Sequence, residues 1–252
     1  RLLWQRTLAN RPAVSTPAVG NIDDDPEPEI VFLCGKWLFA FNHDGTPFAN
    51  RPDGKLMVIP GGDIPGKIDF QYCSVALAEL DGDARDEIVF TTNSPSDDYN
   101  KLYVINAVQN VSGGEPQYAT NVPGFPFLYR SVATGQPSNA SPAVADVTSK
   151  VGSAPGPPDG KPDIIITTKS RLWVFDPWAS SVNKLVWNIA IETQPVEGPF
   201  NSSPAIGDID GDGDLDIAVG GGKGYLYVVD GRRGEALPGF IESTNERYKR
   251  VA

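Results

Sequence analysis

Between residues 208 and 216 the chain reads DIDGDGDLD, with Asp208, Asp210, Asp212, Asp214 and Asp216 at alternate positions, and then turns abruptly apolar. Carboxylates this close repel one another unless water screens them or a cation sits among them. With Asp208 at position 1, carboxylates stand at 1, 3 and 5, and Gly213 at position 6 permits a sharp turn. The carbonyl of Asp214 falls at 7 and Asp216 stands at 9. Calcium takes about six to eight oxygens at 2.3–2.6 Å, and helix-flanked calcium loops supply them in this order of positions. The bidentate Glu such loops carry at position 12 is replaced here by Val219, so Asp216 must close the set. The chemistry expected is coordination of Ca²⁺ in a structural role, because a loop nearly saturated by protein oxygens leaves little room for a substrate.

The rest of the chain holds the elements that must position this loop. SSPAIGDIDGDGDLDIAVGGGKGYLYVVDG (202–231) has relatives at 15–45, 73–107 and 140–177, the last with an expanded loop. Anchored on Ile30, Ile88, Ile164 and Ile217, the copies recur at intervals of 53 to 76 residues. Each has a short apolar segment, an acidic turn, a β-branched run such as EIVF or DIIIT, and an aromatic run such as WLFAF or LYVIN. Alternating aromatic and β-branched residues bounded by Gly, Asp and Asn predict strands, and no amphipathic helix is evident. LVWNIAI (185–191) predicts a fourth strand, and LLWQRTL (2–8) the outer strand of a unit whose first three strands are missing. Four short strands per unit predict an all-β fold, a β-propeller of four-stranded antiparallel blades. The repeats run over about 15–72, 73–139, 140–201 and 202–240 of a single propeller domain or segment, 1–252. Four copies suggest an arc of a larger ring of seven or eight blades.

The DIDGDGDLD loop in this repeat context resembles the FG-GAP (VCBS, integrin-α-like) repeat, whose DxDxDGxxD loops bind calcium between propeller strands. The resemblance spans nearly the whole chain, and the other copies depart from it in degrees. ELDGDARDE offers Glu79, Asp81, Asp83 and Glu87, with Arg85 supplying a carbonyl and Ala84 replacing the glycine. NIDDDPEPE offers Asn21, Asp23, Asp25, Glu27 and Glu29, but Pro26 at the turn position has φ fixed near about −65° and forbids a left-handed turn. The third copy has Asp146, then Thr148 at position 3, and resumes at Asp159 and Asp163 beyond SKVGSAPGPPDGK. That loop is expected to be degenerate or remodelled for contact.

The totals narrow the function further. A net charge of −11 argues against nucleic acid or an anionic membrane as partner, and no apolar run is long enough for a transmembrane helix. Gly 26 and Pro 23 suit short strands and tight turns. Cys34 and Cys73 lie in strand-like runs and are expected to be buried thiols, with pairing left open. The chain begins with Arg and shows no signal peptide, as in a mature chain or an excised piece of a longer one. The single histidine, His43, falls in a turn, and Trp4, Trp37, Trp173, Trp178 and Trp187 fall mostly at strand positions suited to packing, although they could also form a sugar-stacking surface. Asn110, Asn139 and Asn201 are sequons for glycosylation.

The resemblance implies a non-catalytic, calcium-binding module of an extracellular, cell-surface or periplasmic protein, mediating adhesion to a protein or glycan ligand on one loop face. Candidate contact elements are Ser149 to Pro158 and the loop 92–100. The alternatives are a propeller enzyme of the polysaccharide-lyase or quinoprotein kind, and a structural subunit whose ring a further chain completes.

Overall fold

The computed structural model describes residues 2–8, 15–35, 37–59, 73–92, 100–109, 117–129, 140–168, 171–180, 183–190, 202–220 and 226–237. The chain forms two compact units, Arg1–Arg130 and Ser131–Ala252. In the first unit, β1 (Ala18–Gly20), β2 (Glu29–Cys34), β3 (Trp37–Phe41) and β4 (Lys55–Val58) make one antiparallel sheet in chain order. A second sheet runs β5 (Ala76–Ala78), β6 (Glu87–Thr92), β7 (Asn100–Gln109), β8 (Gln117–Asn121), with β9 (Phe127–Tyr129) also paired to the long β7. The second unit holds β10 (Ala143–Ala145), the hairpin β11 (Ser149–Val151) and β12 (Ala154–Gly156), then β13 (Asp163–Thr167), β14 (Arg171–Phe175) and β15 (Leu185–Ala190). β10, β13, β14 and β15 form its first sheet, and β16 (Ala205–Gly207), β17 (Asp216–Gly220) and β18 (Leu226–Asp230) its second.

The structure is therefore all-β, with blade-like antiparallel sheets. The uniform four strands expected become four, five, four and three among the described residues. The extra strand arises because β7 spans ten residues and pairs with β8 at one end and β9 at the other. Among the described residues no strand pairing closes the sheets into a ring or barrel.

The sequence repeat reappears as a repeat of register. Val19–Ile30–Phe41, Leu77–Ile88–Ile105, Val144–Ile164–Phe175 and Ile206–Ile217–Val229 each line up across three strands. One residue earlier on the second strand stands an acid, opposite Gly20, Ala78, Ala145 or Gly207. A one-residue slip would turn each acid and each apolar neighbour to the wrong face, so the alternation fixes the pairing.

Neighbouring sheets within each unit bury their facing residues. Val31, Leu33, Leu38 and Ala40 join Ile88, Phe90, Tyr103 and Ile105 in the first core. Ile165, Leu172 and Val174 join Ile217, Val219 and Val229 in the second. Burying each such side chain contributes about 1.5–3 kcal/mol. Contacts recur between the first strands of the two sheets in each unit. Leu77 lies over Gly20, and Ile206 packs against the same core as Ala143 and Ala145. The Thr16 N–H donates to the Ser74 hydroxyl over 3.1 Å, and the Ser141 N–H to that of Ser203 over 3.0 Å.

Residues 2–8 form no strand, contrary to expectation. Their tryptophan explains the sequence likeness to 185–191 instead. The Trp4 indole N–H donates to the His43 carbonyl over 2.9 Å, and its ring covers Gly45, which holds φ +82°. Trp187, on β15, donates to the Gly231 carbonyl over 3.1 Å and covers Gly234, at φ +68°. What repeats is the seating of an indole on a left-handed glycine after the third strand. The other face of the first sheet is covered by this seating, since Trp4 and Leu8 pack on Cys34, Phe39 and Phe41. Cys34 and Cys73 are both buried thiols, not linked in a disulfide.

A Cβ on Gly234 would lie 2.7 Å from the Trp187 ring, whereas one on Gly160, at φ +84°, would meet nothing. Gly160→Ala should cost only the left-handed backbone penalty of about 1–2 kcal/mol, and Gly234→Ala should cost clearly more, read as tryptophan fluorescence in a denaturant titration. Equal losses would show that the indole seat contributes nothing.

Candidate metal centres in the inter-strand loops

Each acidic loop joins the first strand of a sheet to the second and ends on the acid that begins that second strand. Glu29, Glu87, Asp163 and Asp216 are almost completely buried. Each carboxylate turns back to accept a backbone N–H near the start of its own loop. Glu29 takes that of Ile22 at 3.0 Å, Glu87 that of Leu80 at 2.5 Å, and Asp216 that of Ile209 at 2.8 Å. Asp163 takes two, from Val147 at 3.0 Å and Thr148 at 2.8 Å. The bond closes the loop on itself and, in the first three loops of the chain, satisfies an amide of a buried residue.

In the Asp208–Asp216 loop, one oxygen each of Asp208, Asp210 and Asp216 lie within 4.8 Å of one another. Ligands at about 2.3–2.6 Å on opposite sides of one ion are separated by about twice that distance, so the spacing suits a shared divalent cation. Asp208 also accepts the N–H groups of Gly211 at 2.7 Å and Gly213 at 3.2 Å, both glycines being left-handed. Asp210 accepts the Asp212 N–H at 3.1 Å, and Asp212 that of Asp214 at 2.9 Å. Asp212 and Asp214 lie outside the converging three.

The loop at 79–87 gathers Glu79, Asp81 and Glu87 in the same way. Ala84 adopts φ 70°, the conformation Gly213 supplies in the last loop, at a cost of about 1–2 kcal/mol for a residue with a Cβ. Glu79 accepts the Asp81 N–H at 3.0 Å and the Gly82 N–H at 2.5 Å. Asp83 lies outside these three, as Asp212 does in the last loop, and it accepts the backbone N–H of Arg85 and pairs with its guanidinium. The Asn106 amide donates to Asp81 over 3.1 Å, while its own buried Oδ1 has no hydrogen-bond partner among the described residues. A buried oxygen in want of a positive partner beside three converging carboxylates suits a hard cation.

At 21–29, Pro26 does prevent a left-handed turn, and no residue of this loop has positive φ. Asp23, Asp25 and Glu29 nevertheless converge, along a staircase of side chain-to-backbone bonds. Asn21 accepts the Asp23 N–H at 3.2 Å, Asp23 that of Asp25 at 2.9 Å, and Asp25 that of Glu27 at 3.0 Å. The third loop is different. Asp146 accepts the N–H groups of Asp159 at 3.2 Å and Gly160 at 2.7 Å, and Asp159 that of Lys161 at 3.2 Å. Among the described residues, Asp146, Asp159 and Asp163 form no converging group. Its insertion is the β11–β12 hairpin, tied down by Lys150, whose ammonium donates to the carbonyls of Asn183 and Leu185 at 2.5 and 2.6 Å. The tip at Val151 stays exposed.

Asn110, Asn139, Asn201 and residues 93–99 lie outside the described residues. Three contributions were not foreseen: the side chain of Arg85, the amide of Asn106, and Asp86, whose carboxylate accepts the Asn21 N–H at 3.1 Å. Position 7 drew notice only for its carbonyl, and Asn106 stands at the far end of an aromatic run.

Burial pushes Glu29 up to about 7, and Glu87 and Asp163 up to about 8, with adjacent carboxylates adding to the rise and the backbone N–H bonds opposing it. Burial raises Asp216 and Asp81 as well. A carboxyl raised in this way binds more protons folded than unfolded between its ordinary value, 4.5 for Glu87, and its folded one. Ion-free stability therefore falls as pH rises through that window. Melting midpoints in EDTA should drop between about pH 5 and pH 8, and saturating Ca²⁺ should remove most of the drop; a midpoint in EDTA that stays flat or rises would contradict the burial argument.

Residues 158–219 match the family described as the FG-GAP-like repeat. No curated protein matches the chain. Among solved structures, the V. cholerae biofilm matrix protein Bap1 is similar at 13% identity and a TM-score of 0.40, over 92% of this chain. The present chain spans 40% of that one. The family match runs from just before β13 through the Asp208–Asp216 loop into β17. Residues 158–219 are thus similar to an FG-GAP-like repeat, and the Asp208–Asp216 loop lies among them.

Proposed function

We propose that the chain is a non-catalytic, calcium-stabilised propeller module of an extracytoplasmic protein, which presents loops on one face to a protein or glycan partner. The observation that carries this reading is the convergence of Asp208, Asp210 and Asp216 on a loop whose last carboxylate is buried and held by the backbone. Asp208, Asp210 and Asp216 would hold one ion, Glu79, Asp81 and Glu87 a second, and Asp23, Asp25 and Glu29 a third. The ion would offset the mutual repulsion of the carboxylates and pin the turn between two strands. The sheets then act as blades of a larger ring, of seven or eight, whose rigidity sets the positions of the loops.

The β11–β12 hairpin is the contact element best supported by geometry. Its root is fixed by the Lys150 bonds, by the Lys150 N–H to Asp176 at 2.8 Å, and by Thr148 Oγ1, which lies 3.1 Å from the carbonyls of both Gly156 and Arg232. Its apolar tip at Val151 is left in solvent. A projection held at its root loses little conformational entropy when it binds.

Calcium at a hundredfold excess over its Kd should stabilise by about 2.7 kcal/mol per site, a rise in melting midpoint of about 5–10 °C. Asp208→Asn combined with Asp210→Asn should abolish the strongest step in a calorimetric calcium titration and most of that rise. A wild-type midpoint indifferent to both calcium and EDTA would overturn the reading.

A further inference from the structure

The first two acidic loops belong to adjacent sheets of one unit, and they are joined. The Asp86 N–H donates to the Asn21 carbonyl over 2.7 Å, and its carboxylate returns to the Asn21 N–H. The Asp86 carboxylate also fills the space where a side chain at Gly20 would stand. Across this backbone pair reaches Arg85. One arm of its guanidinium bonds Asp24 of the first loop at 3.1 Å, and the other bonds Asp83 of its own loop. The Arg85 side chain as a whole is mostly covered, at 12% exposure, although its partner Asp24 is open to water. Exposed ion pairs contribute little, but a covered, forked cation shared by two loops resists screening and fixes both partners. In the last loop the corresponding position 7 is Asp214, so the local charge there differs by two units.

We propose that Arg85 is a built-in cation that staples the first acidic loop to the second, so that this junction holds without calcium and the 79–87 loop binds calcium more weakly than the 208–216 loop. The second half of this statement rests on the calcium reading of the loops. A guanidinium held in the 79–87 loop repels an ion as it enters. The last loop has no such cation and depends on calcium from outside.

The test compares wild type, Arg85→Gln, Arg85→Lys and Asp24→Asn as full chains, by melting midpoint in EDTA and by calorimetric titration with CaCl₂. Arg85→Gln should lower the EDTA midpoint by several degrees, tighten the weaker class of calcium site roughly tenfold, and recover most of its lost midpoint when calcium is saturating. Arg85→Lys keeps the charge without the fork and should fall between. Asp24→Asn should lower the EDTA midpoint, because it removes one end of the bond between loops. An EDTA midpoint for Arg85→Gln equal to wild type overturns the staple, and unchanged weak-site affinity overturns its competition with calcium. Absence of any calcium effect in all four proteins overturns the calcium reading and the affinity half with it, and the EDTA comparison then judges the staple alone.

Discussion

The structure turns on one hydrogen bond made four times: a buried carboxylate at the start of a strand reaching back to a backbone N–H at the head of its own loop. It places a negative charge against an apolar sheet, which costs free energy unless that charge is satisfied. The backbone N–H meets part of the need. What remains is the reason other acids gather at the same loop, since several oxygens around one ion neutralise a charge that one amide cannot.

Three solutions to the residual charge coexist. The 208–216 loop has five acids and no basic residue and leaves neutralisation to an external ion. The 79–87 loop supplies Arg85 from within and enlists Asn106 from the neighbouring strand. The loop that ends on Asp163 gives its carboxylate two amides and converts the spare length into a hairpin. The constraint stays constant while the means of meeting it varies. This accounts for four copies that share a register and differ in their acids.

The strands were legible because their cause is local. Short continuous runs of aromatic and aliphatic residues at 37–41, 102–105 and 172–175 suit a strand buried on both faces, and all three runs lie in strands. The acidic loops were legible from spacing, since positions 1, 3 and 9 alone place Asp208, Asp210 and Asp216 together. Legibility failed where the deciding contact spans the sheet. Trp4 looked like a strand residue because it shares its neighbours with Trp187, yet what the two share is a glycine seat 41 to 47 residues downstream. Pro26 promised a poor loop, but bonds from Asn21, Asp23 and Asp25 shape the turn by another route. Arg85 was read for its carbonyl, and only the packing of two sheets brings Asp24 within reach of its side chain.

The central claim is that the converging carboxylates of the last loop are a cation site, with its turn fixed by the buried Asp216. Anomalous diffraction from crystals grown with calcium tests it most directly. The account predicts one peak bonded at about 2.3–2.6 Å to Asp208, Asp210 and Asp216, with the Asp216 bond to the Ile209 N–H kept. No peak at saturating calcium, with the three carboxylates splayed into solvent, would contradict it.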